Sequence, residues 1–246
     1  MNNIWLETLL DMLYPQMQIC NFCWAEKEDI SKTGICHDCQ EKFMEWRQNL
    51  PVCKRCGRFT AQLECANCAD WPEDLLVVTA AAPYTGIFKE KIIELKYSGK
   101  KKNSRQLGIL MAQVAKKTWG KALKNKHSML VVPVPLHELR FEERGFNQSA
   151  LLAVEIARHL DLKYSEEILV RNVYEQEQKM LGRIERKEIS SNVFAVCRPD
   201  KIADKNIILV DDVITTGATM LAAAKVLKQS RAKGIFGLTW AAGSDK

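Results

Sequence analysis

Two groups of residues in this chain have the types and the spacing to do chemistry. The first is the pair Asp211 and Asp212, followed by Val213, Ile214, Thr215, Thr216, Gly217, Ala218 and Thr219. The apolar run Ile207 to Val210 delivers both carboxylates at the end of a buried strand, and a short turn then opens a helix. Consecutive residues of such a turn aim backbone N–H groups at one point, an anion nest at a helix N-terminus. Thr215, Thr216 and Thr219 add hydroxyl donors, and Gly217 lets the backbone approach the anion closely. The paired carboxylates suit ribose hydroxyls or a divalent cation. Together these groups read as a sugar-phosphate site at the carboxyl end of a strand, where open α/β sheets bind their ligands. The sequence contains no G-x-x-x-x-G-K-[ST], so an ATPase of the Walker A kind is excluded. A plain strand–turn–helix with an acidic end does not account for two acids, three threonines and a glycine within nine residues.

The second group is cysteine. Eight of the nine cysteines form four C-x-x-C pairs: Cys20/Cys23, Cys36/Cys39, Cys53/Cys56 and Cys65/Cys68. Each turn sets two thiolates on one side of a tight loop, and two turns make a tetrahedral cage for Zn²⁺. Four turns suit two structural zinc ions. Gaps of 12 and 8 residues between the turns favour the sequential pairing, first four and last four; an interleaved cross-brace uses the same residues. A disulfide scaffold or an iron–sulfur site are the competing readings, the former disfavoured in a reducing compartment. With few large apolar residues in this stretch, metal must supply the missing folding free energy, on the order of 10 kcal/mol per site. The ninth, Cys197, reads as a small buried residue.

Stepping outward from these groups, the chain's 246 residues imply one or two domains. Residues 1–75 carry seven Lys/Arg against twelve Asp/Glu, and residues 76–246 carry 29 against 18. Twelve of the basic residues fall within 89–126, against two acidic ones. Lys96, Lys100, Lys101, Lys102 and Arg105 lead this stretch, and Lys116, Lys117, Lys121, Lys124 and Lys126 follow. Such a concentration is a footprint for polyanions and predicts sequence-independent binding of single-stranded DNA through phosphate contacts. Tyr97 and Trp119 suit either base stacking or core packing. Apolar residues make up 47%, which excludes a disordered chain. No apolar run reaches the ~18 residues of a membrane span. The N-terminus lacks the basic start of a signal peptide, so a cytoplasmic location is expected.

The positioning elements follow from periodicity. Residues 1–18 read as an amphipathic docking helix (Ile4, Trp5, Leu6, Leu9, Leu10, Leu13), residues 19–72 as the zinc module, and residues 75–246 as an α/β domain. Strands are expected at 75–84, 129–135, 192–196, 206–213 and 234–242, and helices at 88–97, 105–124, 147–160 and 217–229, with Asn147 as an N-cap. Alternation of this kind implies a mainly parallel sheet with helices on both faces. Residues 171–191 fit neither pattern and read as a long functional loop.

The stretch VDDVITTGAT resembles the phosphoribosyl pyrophosphate (PRPP) motif of type I phosphoribosyltransferases. Adding the C-x-x-C module, LKYSGK (95–100), VPVPLHELRFEERGFNQSALLA (132–153) and the pattern across 178–194, nearly the whole chain resembles the ComF family, competence-associated phosphoribosyltransferase-like proteins that include the GntX type. The resemblance implies that Asp211 and Asp212 hold the ribose hydroxyls and that Thr215 to Thr219 cradle the 5′-phosphate. It implies that Val134, Pro135, Leu136 and His137 form the pyrophosphate loop and that 171–191, with Gln178, Arg183 and Arg186, closes over the site. Mg²⁺ would accompany PRPP. Arg140 and Arg144 suit pyrophosphate, nucleic-acid phosphate or surface pairing to Glu138, Glu142 or Glu143. His137 suits proton donation or a structural place. The implied role is DNA uptake in natural transformation. It is filled either by phosphoribosyl transfer to an unknown acceptor or by a non-catalytic nucleic-acid-binding zinc adaptor that docks a competence helicase or other uptake protein.

Overall fold

The computed structural model describes residues 17–28, 30, 34–97, 103–171 and 193–243. The expected docking helix before residue 17, Lys100, Lys101 and Lys102, and Gln178, Arg183 and Arg186 of the long loop lie outside the described residues. The chain divides into two compact units, residues 1–49 and 50–246. The boundary falls between the second and third C-x-x-C turns, inside the stretch that spacing groups as one zinc module.

In the first unit, β1 (Gln18–Ile19) pairs antiparallel with β2 (Glu26–Lys27) around the Cys20–Cys23 turn. Helix α1 (His37–Asn49) grows out of the second turn, with Cys39 on its first turn. Sequence periodicity gave no helix there. The reason is its thin apolar stripe: only Phe43 and Arg47, one turn apart, are buried.

The main sheet of the second unit has five strands: β3 (Val77–Pro83), β4 (Met129–Pro133), β5 (Lys163–Tyr164), β8 (Asn206–Ile214) and β9 (Gly234–Ala242). Their order is β3-β9-β8-β4-β5, every neighbouring pair parallel, with Val131 beside Ile208 and Ile208 beside Phe236. All five residues of β4 are buried, as a strand covered on both faces requires. Around the sheet run α2 (Gly86–Tyr97), α3 (Asn103–Trp119), α4 (Glu138–Arg144), α5 (Gln148–Leu160) and α6 (Ala218–Gln229). The β4–α5–β5 and β8–α6–β9 crossovers travel in opposite directions along the sheet. Right-handed crossovers therefore put α5 and α6 on opposite faces. Among the described residues, no helix is long and apolar enough to cross a membrane.

Three expectations need correction. Helix 105–124 ends at Trp119, because Gly120 begins a turn, and two short 3₁₀ turns then lead into β4. The strand expected at 192–196 becomes β7 (Phe194–Val196), which pairs antiparallel with β6 (Leu169–Arg171) outside the main sheet. The two strands flank residues 172–192, which lie outside the described residues. Cys197, just beyond β7, is exposed rather than buried.

Candidate functional site

Strand β8 brings Asp211 and Asp212 to the carboxyl edge of the sheet, as its apolar run dictates. The two carboxylates meet different partners. Asp211 is half-buried, and its Oδ1 accepts hydrogen bonds from Ser149 Oγ and the Asp212 amide, both at 2.8 Å. Ser149 is presented by the first turn of α5, whose start Asn147 caps by accepting from the Ser149 amide at 3.0 Å. The other end of the Asn147 amide donates to Val134 O at 3.0 Å, tying the 134–137 turn to the same edge. Burial and, secondly, the Asp212 charge push the Asp211 carboxyl up to about 7, in spite of the Ser149 bond.

Asp212 is buried and lies 2.7 Å from Lys96 Nζ at the end of α2. Oδ2 is the atom that faces Lys96, and among the described residues it takes no further hydrogen bond. Lys96, grouped by sequence with the nucleic-acid lysines, thus neutralises a site carboxylate. Its neighbour Tyr97 accepts a hydrogen bond from Arg144 Nη2 at 3.0 Å, and the guanidinium lies 4.9 Å over the ring. Arg144 also donates to Gln148 at 3.1 Å. Arg140 instead pairs with Glu143 on the surface at 3.0 Å. His137 is the N-cap of α4, its Nδ1 accepting from the Leu139 amide at 3.3 Å.

After β8 the chain turns through Thr215 and Thr216, both exposed, and Gly217 caps α6. Thr219 and Ala218 are exposed on the first turn, whose N–H groups lack intrahelical acceptors. Gly217 has φ +85, and a Cβ there would come within 2.2 Å of the Trp71 ring. Glycine is therefore required both by the left-handed backbone and by the tryptophan beneath the turn, a constraint additional to anion approach. The sequence offered no signal for this beyond an aromatic three residues after Cys68.

The eight cysteines gather as the sequential pairing expects. Cys20, Cys23, Cys36 and Cys39 form one cluster, and Cys53, Cys56, Cys65 and Cys68 the other, each with all four sulfurs within 4.8 Å of one another. Individual separations of 3.4 to 3.9 Å match the edge of a tetrahedron with Zn–S of ~2.3 Å, about 3.8 Å, and all thiols are free. Burial pushes the Cys20 thiol up, yet the amides of Cys36, Cys23 and Phe22 outweigh it and set it at about 6. Cys53 behaves alike, at about 7, through the amides of Cys56, Arg55 and Cys65. Each cluster thus contains a thiol prepared to ionise, as metal binding demands.

Among the described residues the basic segment does not form one patch. Lys96 lies in the last turn of α2 and exposed Arg105 in the first turn of α3. Lys116 and Lys117 lie about 16–18 Å further along α3 at ~1.5 Å per residue, and Lys121, Lys124 and Lys126 follow in the turns that lead into the amino end of β4. There Lys116, Lys117, Lys121, Lys124 and Lys126 line a cleft of about 890 Å³ with His159. Burial first, then the Lys116 charge, holds His159 below its ordinary pKa. Trp119 packs on Phe236 at 5.4 Å between centroids, so of the two aromatics considered for stacking it belongs to the core, whereas Tyr97 is exposed.

Comparison with known proteins agrees with this geometry. The family described as phosphoribosyl transferase domain matches residues 147–244, from the α5 cap through β8, the turn and β9. The DNA utilization protein YhgH of Escherichia coli K12 is 27% identical over 226 residues, covering 89% of this chain and 96% of that one. Competence protein F of Haemophilus influenzae is 27% identical over 208 residues, covering 81% and 86%. Competence protein ComFC of Bacillus subtilis 168 is 29% identical over 215 residues, covering 83% and 82%. Residues 147–244 thus match the phosphoribosyl transferase domain family on a mainly parallel sheet, and the chain is similar over more than four fifths of its length to competence protein F, ComFC and YhgH.

Proposed function

We propose that this protein serves the use of external DNA in competence, and that its phosphoribosyl transferase domain binds PRPP with Mg²⁺ at the carboxyl edge of β8. The observation that carries the reading is the sequence of groups along one edge: the Asp211–Asp212 pair, then the exposed threonines, then the open N-terminus of α6. The paired carboxylates of Asp211 and Asp212 suit ribose hydroxyls or a hard cation, which seeks oxygen ligands, with Lys96 holding Asp212 in place. Bound Mg²⁺ would supply charge neutralisation to a departing pyrophosphate. The chain's own residues orient the pentose: Asp211 and Asp212 on the diol, Thr215, Thr216 and Thr219 on the 5′-phosphate. Arg144 is held by Tyr97 and Gln148 rather than by an acid, which keeps its charge for a phosphate group.

Titration calorimetry with PRPP and Mg²⁺ tests the reading. Wild type should bind, and Asp212→Asn should weaken binding at least about tenfold. Pyrophosphate release on addition of an acceptor assigns a phosphoribosyltransferase; binding without release across bases, nucleotides and DNA assigns a binding module. No heat with the wild type sinks the proposal.

Single-stranded DNA is the proposed second ligand, favoured by the lysine-lined cleft before β4. Lysines that track phosphates confer a steep salt dependence. Replacing Lys116, Lys121 and Lys124 by Gln should lower both the affinity and the salt slope, and an unchanged slope removes the cleft from the DNA path. The adaptor reading, docking a helicase, is favoured by the exposed Met17, Ile19 and Trp24 around the first cysteine cluster. Capture of a competence helicase by residues 1–49 tethered to the full chain, lost on changing Trp24 to Ser, would support it.

A further inference from the structure

We propose that Trp71 is a positioning residue for the phosphate-binding turn, so that the second cysteine cluster is part of the sugar-phosphate site and sets its affinity. The inference rests on reading residues 215–219 as the phosphate cradle. Trp71 is 8% exposed and lies directly beneath Gly217, whose absent Cβ leaves room for the ring's six-membered edge. It is held there from the cysteine side. Its amide donates to Cys68 O at 3.2 Å, and its carbonyl accepts from the Arg55 guanidinium, within the Cys53–Cys56 turn.

That turn is itself fastened to the sheet. The Val78 amide donates to Arg55 O at 2.9 Å. Gly57, at φ +70, lies so close over β3 that a Cβ would stand 2.8 Å from Val78 O and Ala80 N. Arg58 donates to Gly243 O at 3.3 Å, and the Gly243 amide donates to Ile214 O at 3.0 Å, at the very end of β8. The cluster therefore reaches the phosphate turn from both sides, by Trp71 under Gly217 and by Arg58 through Gly243 to Ile214.

Within the glycine-capped turn the Thr216 hydroxyl accepts from the Ala218 amide at 3.3 Å, a single exposed bond that leaves the rest of the turn to be fixed from outside. A rigid aromatic plate beneath it holds the backbone N–H groups converged before ligand arrives, which lowers the ordering cost of binding. Loss of the plate leaves the donors present but dispersed. The cost falls on ligands that carry a phosphate.

The test is calorimetry of ribose 5-phosphate and PRPP with the full chain, four single variants and one double variant. Trp71→Ala should weaken both ligands about tenfold, and Trp71→Phe, which restores a ring, should recover most of the loss. Ile156→Ala, a buried change in α5 on the opposite face, should lower the melting temperature and leave both affinities unmoved. Gly217→Ala should lower the melting temperature sharply in the wild type but much less alongside Trp71→Ala, where only the backbone strain remains. Wild-type affinity in Trp71→Ala, or an equal cost of Gly217→Ala in both backgrounds, overturns the inference alone. A wild type that binds neither ligand overturns the phosphate reading and the inference with it.

Discussion

In the first cysteine cluster Cys23 is exposed and Cys39 half-buried; in the second all four thiols are buried, at 3% exposure or less. The turns that make the two clusters share one C-x-x-C spacing. Their surroundings are not. The first sits in a unit of two-residue strands and one helix that buries Phe43. The second shares one apolar cluster with Ile207 and Leu209 of β8, Met220 and Leu227 of α6, and Val78 of β3. A four-cysteine cluster can thus serve either as the core of its own small unit or as one wall of a larger core. Spacing alone does not tell these uses apart, because the ligands specify the cage and the flanking apolar residues specify what it joins.

Breaking each cage separately tests this contrast with the largest effect. Cys56→Ser should lower the melting temperature of the phosphoribosyl transferase unit by about 10 °C or more, since a structural zinc supplies several kcal/mol and a unit of this size shifts ~2–4 °C per kcal/mol. Cys23→Ser should release one equivalent of zinc yet leave that melt in place. Calorimetry with zinc analysis reads both. Equal losses from the two variants would mean that the cages belong to one cooperative unit.

The contrast also marks what was legible in the sequence. Strands β4, β8 and β9 and helices α5 and α6 stood out because continuous apolar runs and 3.6-residue stripes report burial directly. Asp211, Asp212 and the threonine turn were legible because their chemistry is unusual at that spacing. Ser149, Trp71 and the pairing of Lys96 with Asp212 were not. Each reaches the site from a distant part of the chain, across a fold that only the sheet order defines. Lys96 in particular carries the same signal as its solvated neighbours in a basic run. Helix α1 was missed because its cage, rather than an apolar stripe, holds it.

A smaller effect separates the two units by pH. Asp211 holds its proton to about pH 7 in the folded chain but releases it near 3.8 when unfolded. The native state binds the extra proton between those values, so stability falls as pH rises from about 4 to about 7 and is level above. Asp211→Asn keeps an acceptor for Ser149 and removes the charge. Its melting temperature should exceed that of the wild type by about 5 °C at pH 8, with the gain vanishing by pH 4. In the first unit the sign is opposite. The Lys27 hydrogen bond and charge lower the Asp38 pKa, so that contribution is present above 3.8 and is lost as pH falls below it. A melting difference between Asp211→Asn and wild type that does not change with pH would mean that the carboxylate is ionised throughout.

The smallest expected difference lies between two basic side chains, one beside each cage. Arg58 is 8% exposed, and its guanidinium donates to Gly243 O, joining the cage turn to the end of β9. Lys27 reaches Asp38 at 3.2 Å with both groups in solvent. A buried bond from a charged donor is worth about 1.5–3 kcal/mol, whereas an exposed ion pair is worth about 0–1. Arg58→Ala should therefore lower the melting temperature of its unit by roughly 4–8 °C, and Lys27→Ala should leave both units within about 2 °C of wild type. If the second cage were a separate module resting on the sheet, the Arg58 bond would be as dispensable as the Lys27 pair. Equal and negligible shifts from the two alanine variants would say so, and would detach the cage from the strand end that presents Asp211 and Asp212.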